Sequence, residues 1–257
     1  LTALGKVFED VKPDAVIVQG DTATAMIGGL TAYYHRIPVV HVEAGLRTWD
    51  RFNPFPEEGN RAIIDQIADY CMAPTSESEK NLLATGVTQD RITITGNTAV
   101  DAILYMAEKV SGSSAPASLP NEVSEAIDDG VKTIVVTGRR RESFGEDFES
   151  ICRALRRITE DHPDVQIVYP VHLNPNVREP VFRILNNVER VHLVEPLPYS
   201  EFVWLLSKAN IVLTDSGGIQ EEVPSLNKPI LVMRSVTERP EGVDAGCSIL
   251  VGVDEDK

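Results

Sequence analysis

The chain is predicted to be an α/β protein made of two Rossmann-like parallel-sheet domains facing a cleft, and three observations carry that prediction. Short apolar, β-branched runs alternate with helix-length segments along most of the 257 residues. Several of these runs stop at small or polar residues, as Gln19-Gly20-Asp21 and Thr214-Asp215-Ser216 do, which is where strands of an open α/β sheet meet their ligand. The alternation is broken once, by a Ser-, Pro- and Ala-rich stretch at 111–120 with the composition of a surface loop, and then resumes.

Taken in order, residues 1–11 read as an amphipathic helix caught partway, and 15–19 as a strand already in mid-sheet. The chain is therefore expected to be an internal piece of a longer protein, inactive alone and marginally folded in its first half, because a cut sheet edge leaves unpaired strand groups. A helix is expected over 23–35 and a strand over 38–42. Pro54 and Pro56 are expected to hold the next segment extended up to a helix over 58–68. A strand at 70–73 precedes a helix over 76–84, for which Ser76 and Glu79 form a capping box and Gly86 the stop. A strand over 91–95 completes a first domain, 1–95, and the remainder, 96–257, forms the second. After a helix ending near 110, the second domain runs through strands at 133–137, 166–170, 191–194, 211–214 and 229–233. Helices are expected between them over 146–160, 180–186, 200–209 and 219–225.

With 39 acidic against 24 basic residues, the net charge of -15 repels nucleic acid and anionic membrane, so any phosphate recognition must be local. Cys71, Cys152 and Cys247 are widely spaced and lack metal-binding spacing, which reads as three buried thiols in a reducing cytoplasm. No apolar run reaches membrane-spanning length. Neither a Gly-x-Gly-x-x-Gly after a strand nor a Walker sequence is present, so no dinucleotide or ATP is indicated.

Three acids stand out. Asp21 follows the strand at 15–19, Glu43 follows the strand at 38–42, and Glu57 opens a helix. Any one of them has an ordinary explanation, since Asp caps helices and Glu in a first turn answers the macrodipole. Converging on one crevice, they can divide general acid and general base work. In the second domain, Asp215-Ser216-Gly217-Gly218 opens a helix, where small residues let backbone N–H groups approach a phosphate. Glu222, one turn on, can accept hydrogen bonds from ribose hydroxyls. Arg139, Arg140 and Arg141 follow a strand, and their guanidinium forks suit phosphate oxygens. His172 follows another strand, in Tyr169-Pro170-Val171-His172-Leu173-Asn174-Pro175.

The segments Gly20-Asp21-Thr22, His41-Val42-Glu43-Ala44-Gly45-Leu46-Arg47-Thr48 and Pro56-Glu57-Glu58-Gly59-Asn60-Arg61 resemble those of the non-hydrolysing UDP-N-acetylglucosamine 2-epimerase family. Arg140-Arg141-Glu142-Ser143-Phe144-Gly145, Tyr169 to Asn176, Thr214 to Glu222 and Thr237 to Gly242 extend the resemblance over essentially the whole chain. It implies a glycosyltransferase-B fold, a homodimer, and interconversion of UDP-GlcNAc and UDP-ManNAc with no NAD or metal. It matches Asp21, Glu43 and Glu57 to catalytic acids, Ser216, Gly217 and Gly218 to a phosphate-binding turn, and Glu222 to a ribose ligand. It also matches His172 and Arg140 to residues that touch a second, activating UDP-GlcNAc in bacterial members.

Arg139 stands where the family usually has His, and the family's N-terminal Gly-Thr-Arg-Pro-Glu turn and closing C-terminal helix are not in this sequence. The implied chemistry is anti elimination of UDP to 2-acetamidoglucal, followed by re-addition with protonation on the other face. Rival readings are epimerisation of a related UDP-diacetamido sugar, an inverting glycosyltransferase of the same fold, and a nucleotide-sugar-binding module without turnover.

Overall fold

The computed structural model describes residues 1–138 and 146–255, so Arg139, Arg140 and Arg141 lie outside the described residues. The chain divides into two units, Leu1–Thr98 and Ala99–Lys257. The α/β class with two parallel sheets is as the sequence predicts.

In the first unit, strands β1 (Val16–Gln19), β2 (Val39–Val42), β3 (Tyr70–Ala73) and β4 (Ile92–Ile94) form a parallel sheet in that order. Helices α1 (Thr2–Val11), α2 (Ala23–Tyr34), α3 (Glu57–Ile67) and α4 (Ser76–Ala84) accompany them. Val18, Ala32, Val39, Ile64, Cys71 and Leu82 interlock as the core between sheet and helices. At roughly 1.5–3 kcal/mol for each large apolar side chain fully buried, such contacts outweigh the net worth of individual surface bonds. β1 is the edge strand of this sheet, and its Ile17 is 70% exposed.

Two local expectations need correction. The cap of α4 is Thr75 rather than Ser76: its hydroxyl accepts from Ser78 N–H at 3.1 Å. Thr75 has the extended backbone that a cap requires, whereas Ser76 is already helical. Residues 51–56 form bends and turns rather than an extended approach, with Asn53–Pro54 and Phe55–Pro56 in the cis form. The turns are closed by local bonds, from Phe52 N–H to Asp50 Oδ1 at 3.0 Å and from Asn53 N–H to the Asp50 carbonyl at 2.8 Å, while the buried Glu58 carboxylate ties the preceding Thr48 and Trp49 N–H groups to α3 at 3.1 Å.

The second unit holds a six-stranded parallel sheet: β5 (Lys132–Thr137), β6 (Val165–Pro170), β7 (Val191–Val194), β8 (Ile211–Thr214), β9 (Ile230–Val232) and β10 (Ser248–Leu250). Its spatial order, β10-β9-β8-β5-β6-β7, reverses direction between β5 and β8, the doubly wound order of nucleotide-binding folds. Period-two alternation sends neighbouring strand residues to opposite faces. Val135, Val168 and Val212 join one core cluster, whereas Val136, Ile167 and Leu213 join the other. The first cluster takes Ile103 of α5 (Thr98–Val110), Val123 of α6 (Asn121–Asp128), Leu206 of α9 (Tyr199–Lys208) and Val223 of α10 (Gly217–Ser225). The second takes Leu155 of α7 (Glu146–Asp161) and Val177 of α8 (Pro175–Leu185). Both faces being covered explains why these strands are continuous apolar runs.

Sequence reading missed α6, α11 (Glu241–Asp244) and β10, and it began α8 at Pro180 instead of Pro175. In α8, Asn174 caps the helix and Pro175 occupies its first turn, a start signal that the interior Pro180 obscures. Cys247, expected to be buried, is partly exposed. Cys71 and Cys152 are buried, and burial pushes both thiols up to about 12, which leaves them neutral. Among the described residues, no helix is long and apolar enough to cross a membrane.

Candidate active site

In the first unit, positive-φ residues break the strand ends and aim their neighbours. Gly20 follows β1 with φ +67°, and Glu43 follows β2 with φ +69°. Thr22, not Asp21, caps α2, its hydroxyl accepting from Ala25 N–H at 3.1 Å. Asp21 is thereby released from the capping role that its position at a strand end allows. Its Oδ2 instead pairs with Arg61 Nη2 at 2.5 Å, and its carbonyl accepts from Asn60 Nδ2 at 2.9 Å.

Glu43 Oε2 lies 3.4 Å from where a Cβ on Gly20 would stand, which places its carboxylate against the residue preceding Asp21. Glu57 occupies the first turn of α3, one turn before Arg61, and its Oε2 is buried without a hydrogen-bond partner. A buried carboxylate oxygen lacking a donor is costly, and a catalytic part is one of the ordinary explanations of such a group. Its neighbour Glu58 has the structural part, closing the loop at Thr48 and pairing with Arg61 at 3.3 Å. Arg61, only 3% exposed, thus links Asp21 to the helix that begins with Glu57. The sequence reading did not single Arg61 out, although its i,i+3 spacing from Glu58 was a signal.

In the second unit, the Ser216 to Gly218 turn stands at the carboxyl end of β8, where the strand order reverses. Thr137 and Thr214, at the ends of β5 and β8, join by their hydroxyls at 2.6 Å, and Thr214 Oγ1 accepts from Ser216 N–H at 3.0 Å. Ser216 is the cap residue of α10 by backbone, but its side chain makes no capping bond. Gly217 is closely approached: a Cβ there would stand 2.6 Å from Arg239 Nη1 and 2.9 Å from Glu238 Oε1, the ends of two flexible side chains. The Arg239 guanidinium therefore lies over the start of the helix. It pairs with Glu221 and, at 2.5 Å, with Glu238, while Glu238 is held by Arg234 at 2.7 Å. Arg239, within the Thr237 to Gly242 segment, was given no role of its own because its partner Glu221 is 18 residues away on another element, leaving no local spacing to read.

Glu222 reaches back over the turn, its Oε1 3.2 Å from where a Cβ on Gly218 would be. Burial first, then the charge of Glu221, pushes its carboxyl above the ordinary range, and Arg239 offsets part of this. The sign follows. A carboxyl raised in the folded state keeps its proton to higher pH than the unfolded chain does, so its contribution to stability is present in acid and lost as pH rises through the raised value. Glu222→Gln is expected to raise the unfolding temperature at neutral pH, by an increment that shrinks on acidification. Thermal unfolding of both proteins across the acidic range checks this, and a pH-independent difference would contradict it.

His172 is exposed just beyond β6, and its Nδ1 accepts from Asn174 N–H at 3.1 Å, so its proton is on Nε2. Among the described residues, no cluster of three or more His, Cys, Asp or Glu has a metal-binding arrangement.

Comparison with known proteins gives this geometry a family. The family described as UDP-N-acetylglucosamine 2-epimerase matches residues 1–257. The chain belongs to that family. The UDP-N-acetylglucosamine 2-epimerase of Escherichia coli K12 is 53% identical over 257 residues, spanning all of this chain and 68% of that protein. The solved structure of UDP-GlcNAc 2-epimerase from Neisseria meningitidis bound to UDP-GlcNAc is 42% identical, with a TM-score of 0.91. It covers 99% of this chain, which spans 68% of it. The Methanocaldococcus jannaschii enzyme in complex with UDP-GlcNAc and UDP is 35% identical, with a TM-score of 0.85 over 99% of this chain and 69% of that one. The glycosyltransferase-B class expected for the family is consistent with the two parallel-sheet units.

Proposed function

We propose that this chain carries the chemistry of a non-hydrolysing UDP-GlcNAc 2-epimerase, interconverting UDP-GlcNAc and UDP-ManNAc. The observation that carries the reading is the presence, in one family member, of three strand- and helix-end acids in the first unit and a glycine-opened helix N-terminus at the sheet reversal of the second.

The first unit, as expected for its strand ends, supplies Asp21, Glu43 and Glu57 as proton carriers. The second holds UDP, with the diphosphate at Ser216, Gly217 and Gly218 and the ribose on Glu222. One acid takes the C-2 proton as the C-1–oxygen bond to UDP breaks, giving 2-acetamidoglucal and free UDP. Re-addition of UDP at C-1, with a proton delivered to the opposite face of C-2, closes the cycle and leaves atoms and electrons balanced. Two faces require two carriers. The departing diphosphate gains negative charge, which the α10 N-terminus and the Arg239 guanidinium oppose. Arg139, Arg140 and Arg141 are assigned to the same anion by their position after β5.

A homodimeric, cytoplasmic enzyme with a second, activating UDP-GlcNAc at His172 and Arg140 completes the reading, supported by family membership. Glu222→Ala is expected to weaken UDP by about 1.5–3 kcal/mol, the worth of hydrogen bonds to a charged group. Isothermal calorimetry with UDP measures it, and unchanged affinity would remove Glu222 from the ribose. Conversion of UDP-GlcNAc to UDP-ManNAc, followed by proton NMR without added NAD, tests the reaction itself.

A further inference from the structure

Beneath the three acids lies a buried ionic network that their proposed chemistry does not use. Asp65 belongs to α3, the helix that Glu57 opens. Its Oδ1 is 2.6 Å from His41 Nδ1, and His41 Nε2 is 2.9 Å from the carbonyl of Gly20, the residue before Asp21. Its Oδ2 accepts from Gly45 N–H at 3.3 Å and pairs with Arg47 at 2.6 Å, on the segment that follows Glu43. The side chains of His41 and Asp65 are 0% exposed and that of Arg47 is 2% exposed.

Hydrogen-bond chemistry fixes the roles. A carbonyl oxygen can only accept, so His41 Nε2 donates to Gly20. Asp65 Oδ1 and His41 Nδ1 hold one hydrogen between them, and Asp65 Oδ2 accepts from Gly45 N–H. One carboxylate thus joins His41 and Gly45 by hydrogen bonds and stands at ion-pair distance from Arg47. Through His41 it reaches the turn that bears Asp21, through Gly45 and Arg47 the turn that bears Glu43, and along its own helix Glu57.

We infer that Asp65 is a positioning residue that sets where Asp21 and Glu43 stand relative to Glu57. The inference rests on the reading of those acids as proton carriers. Misplacing a reacting group by about 1 Å costs roughly 10²-fold in rate. A merely structural role would lower stability without that cost in the folded fraction.

The test uses the full protein. Asp65→Asn should lower kcat about 10²-fold while leaving KM and UDP affinity within about threefold, the pattern of a loss felt in the transition state. It should also abolish the far-downfield imidazole proton resonance that the His41–Asp65 bond gives in the parent. A folded Asp65→Asn protein with parental kcat overturns the inference. Should that variant fail to fold, Asp65→Asn combined with Arg47→Gln also removes the buried cation left behind. A lowered kcat at unchanged KM there supports positioning, and parental kcat overturns it. Asp21→Asn, Glu43→Gln and Glu57→Gln, assayed alongside, separate the two readings. Full activity in those three refutes the proton carriers themselves, whereas loss there with parental activity in Asp65→Asn refutes only the positioning role.

Discussion

Asp21→Asn, Glu43→Gln and Glu57→Gln each lower kcat by about 10²–10⁴, the usual worth of a positioned acid or base, and leave UDP affinity nearly unchanged. Steady-state kinetics paired with UDP calorimetry checks this. The three substitutions are close to isosteric, yet their structural consequences differ, and that difference separates chemistry from folding. Glu57 Oε2 is buried and accepts no hydrogen bond, so an amide in its place gives up no bond at that atom and should cost the fold little. Asp21 is the opposite case: its loss leaves Arg61, 3% exposed, with Glu58 at 3.3 Å as its remaining ionic partner, and some stability should go with it. Activity lost by all three, with stability lost by Asp21→Asn and not by Glu57→Gln, is the signature of proton carriers set on this scaffold. Activity that merely tracked stability would contradict it.

Gly45→Ala is expected to be the most destabilising single methyl that the first unit can receive at its strand ends, by more than about 3 kcal/mol, a size reserved for a few specific mechanisms. Two of these act together. Gly45 has φ +86°, a left-handed conformation that costs an L residue roughly 1–2 kcal/mol. Its Cβ would also stand 2.3 Å from the carbonyl oxygen of Ser78 and 2.9 Å from Leu82 Cγ, and backbone inside α4 cannot swing aside as a side-chain tip could. Relief would require α4 to move, breaking the 3.0 Å bond from Asn81 Nδ2 to the Gly45 carbonyl and the Gly45 contact to Asp65. Urea unfolding followed by hydrogen exchange should show residues 1–98 losing protection first. Parental stability would mean that α4 packs less tightly on this turn.

The strands of the second unit were legible because both faces are covered: every residue of β6 before Pro170 is buried, and four apolar or β-favouring side chains in six leave little else to read. The Ser216 to Gly218 turn was legible because two successive glycines open a helix straight after an apolar strand, and here the space over Gly217 holds the Arg239 guanidinium. Asp21 and Glu43 were legible by position, at the ends of two strands whose apolar runs were plain. What escaped was of two kinds. α6 is short, and its buried Val123 follows a Ser- and Pro-rich stretch that argued for loop. The ionic groups that hold the sites together, Asp65 with His41 and Arg47, or Arg239 with Glu221, are brought together by tertiary packing across separations of about 20 residues, and no local periodicity marks them.

The central claim is that side chains of the first unit remove and return the C-2 proton of a UDP-sugar. Running the full protein on UDP-GlcNAc in deuterium oxide, without NAD, measures this most directly, since carboxyl groups that are reached by water exchange their protons between half-reactions. Mass spectrometry and proton NMR of the UDP-ManNAc formed should find deuterium at C-2. Product that retains its original C-2 hydrogen would contradict the account and point to internal hydride transfer.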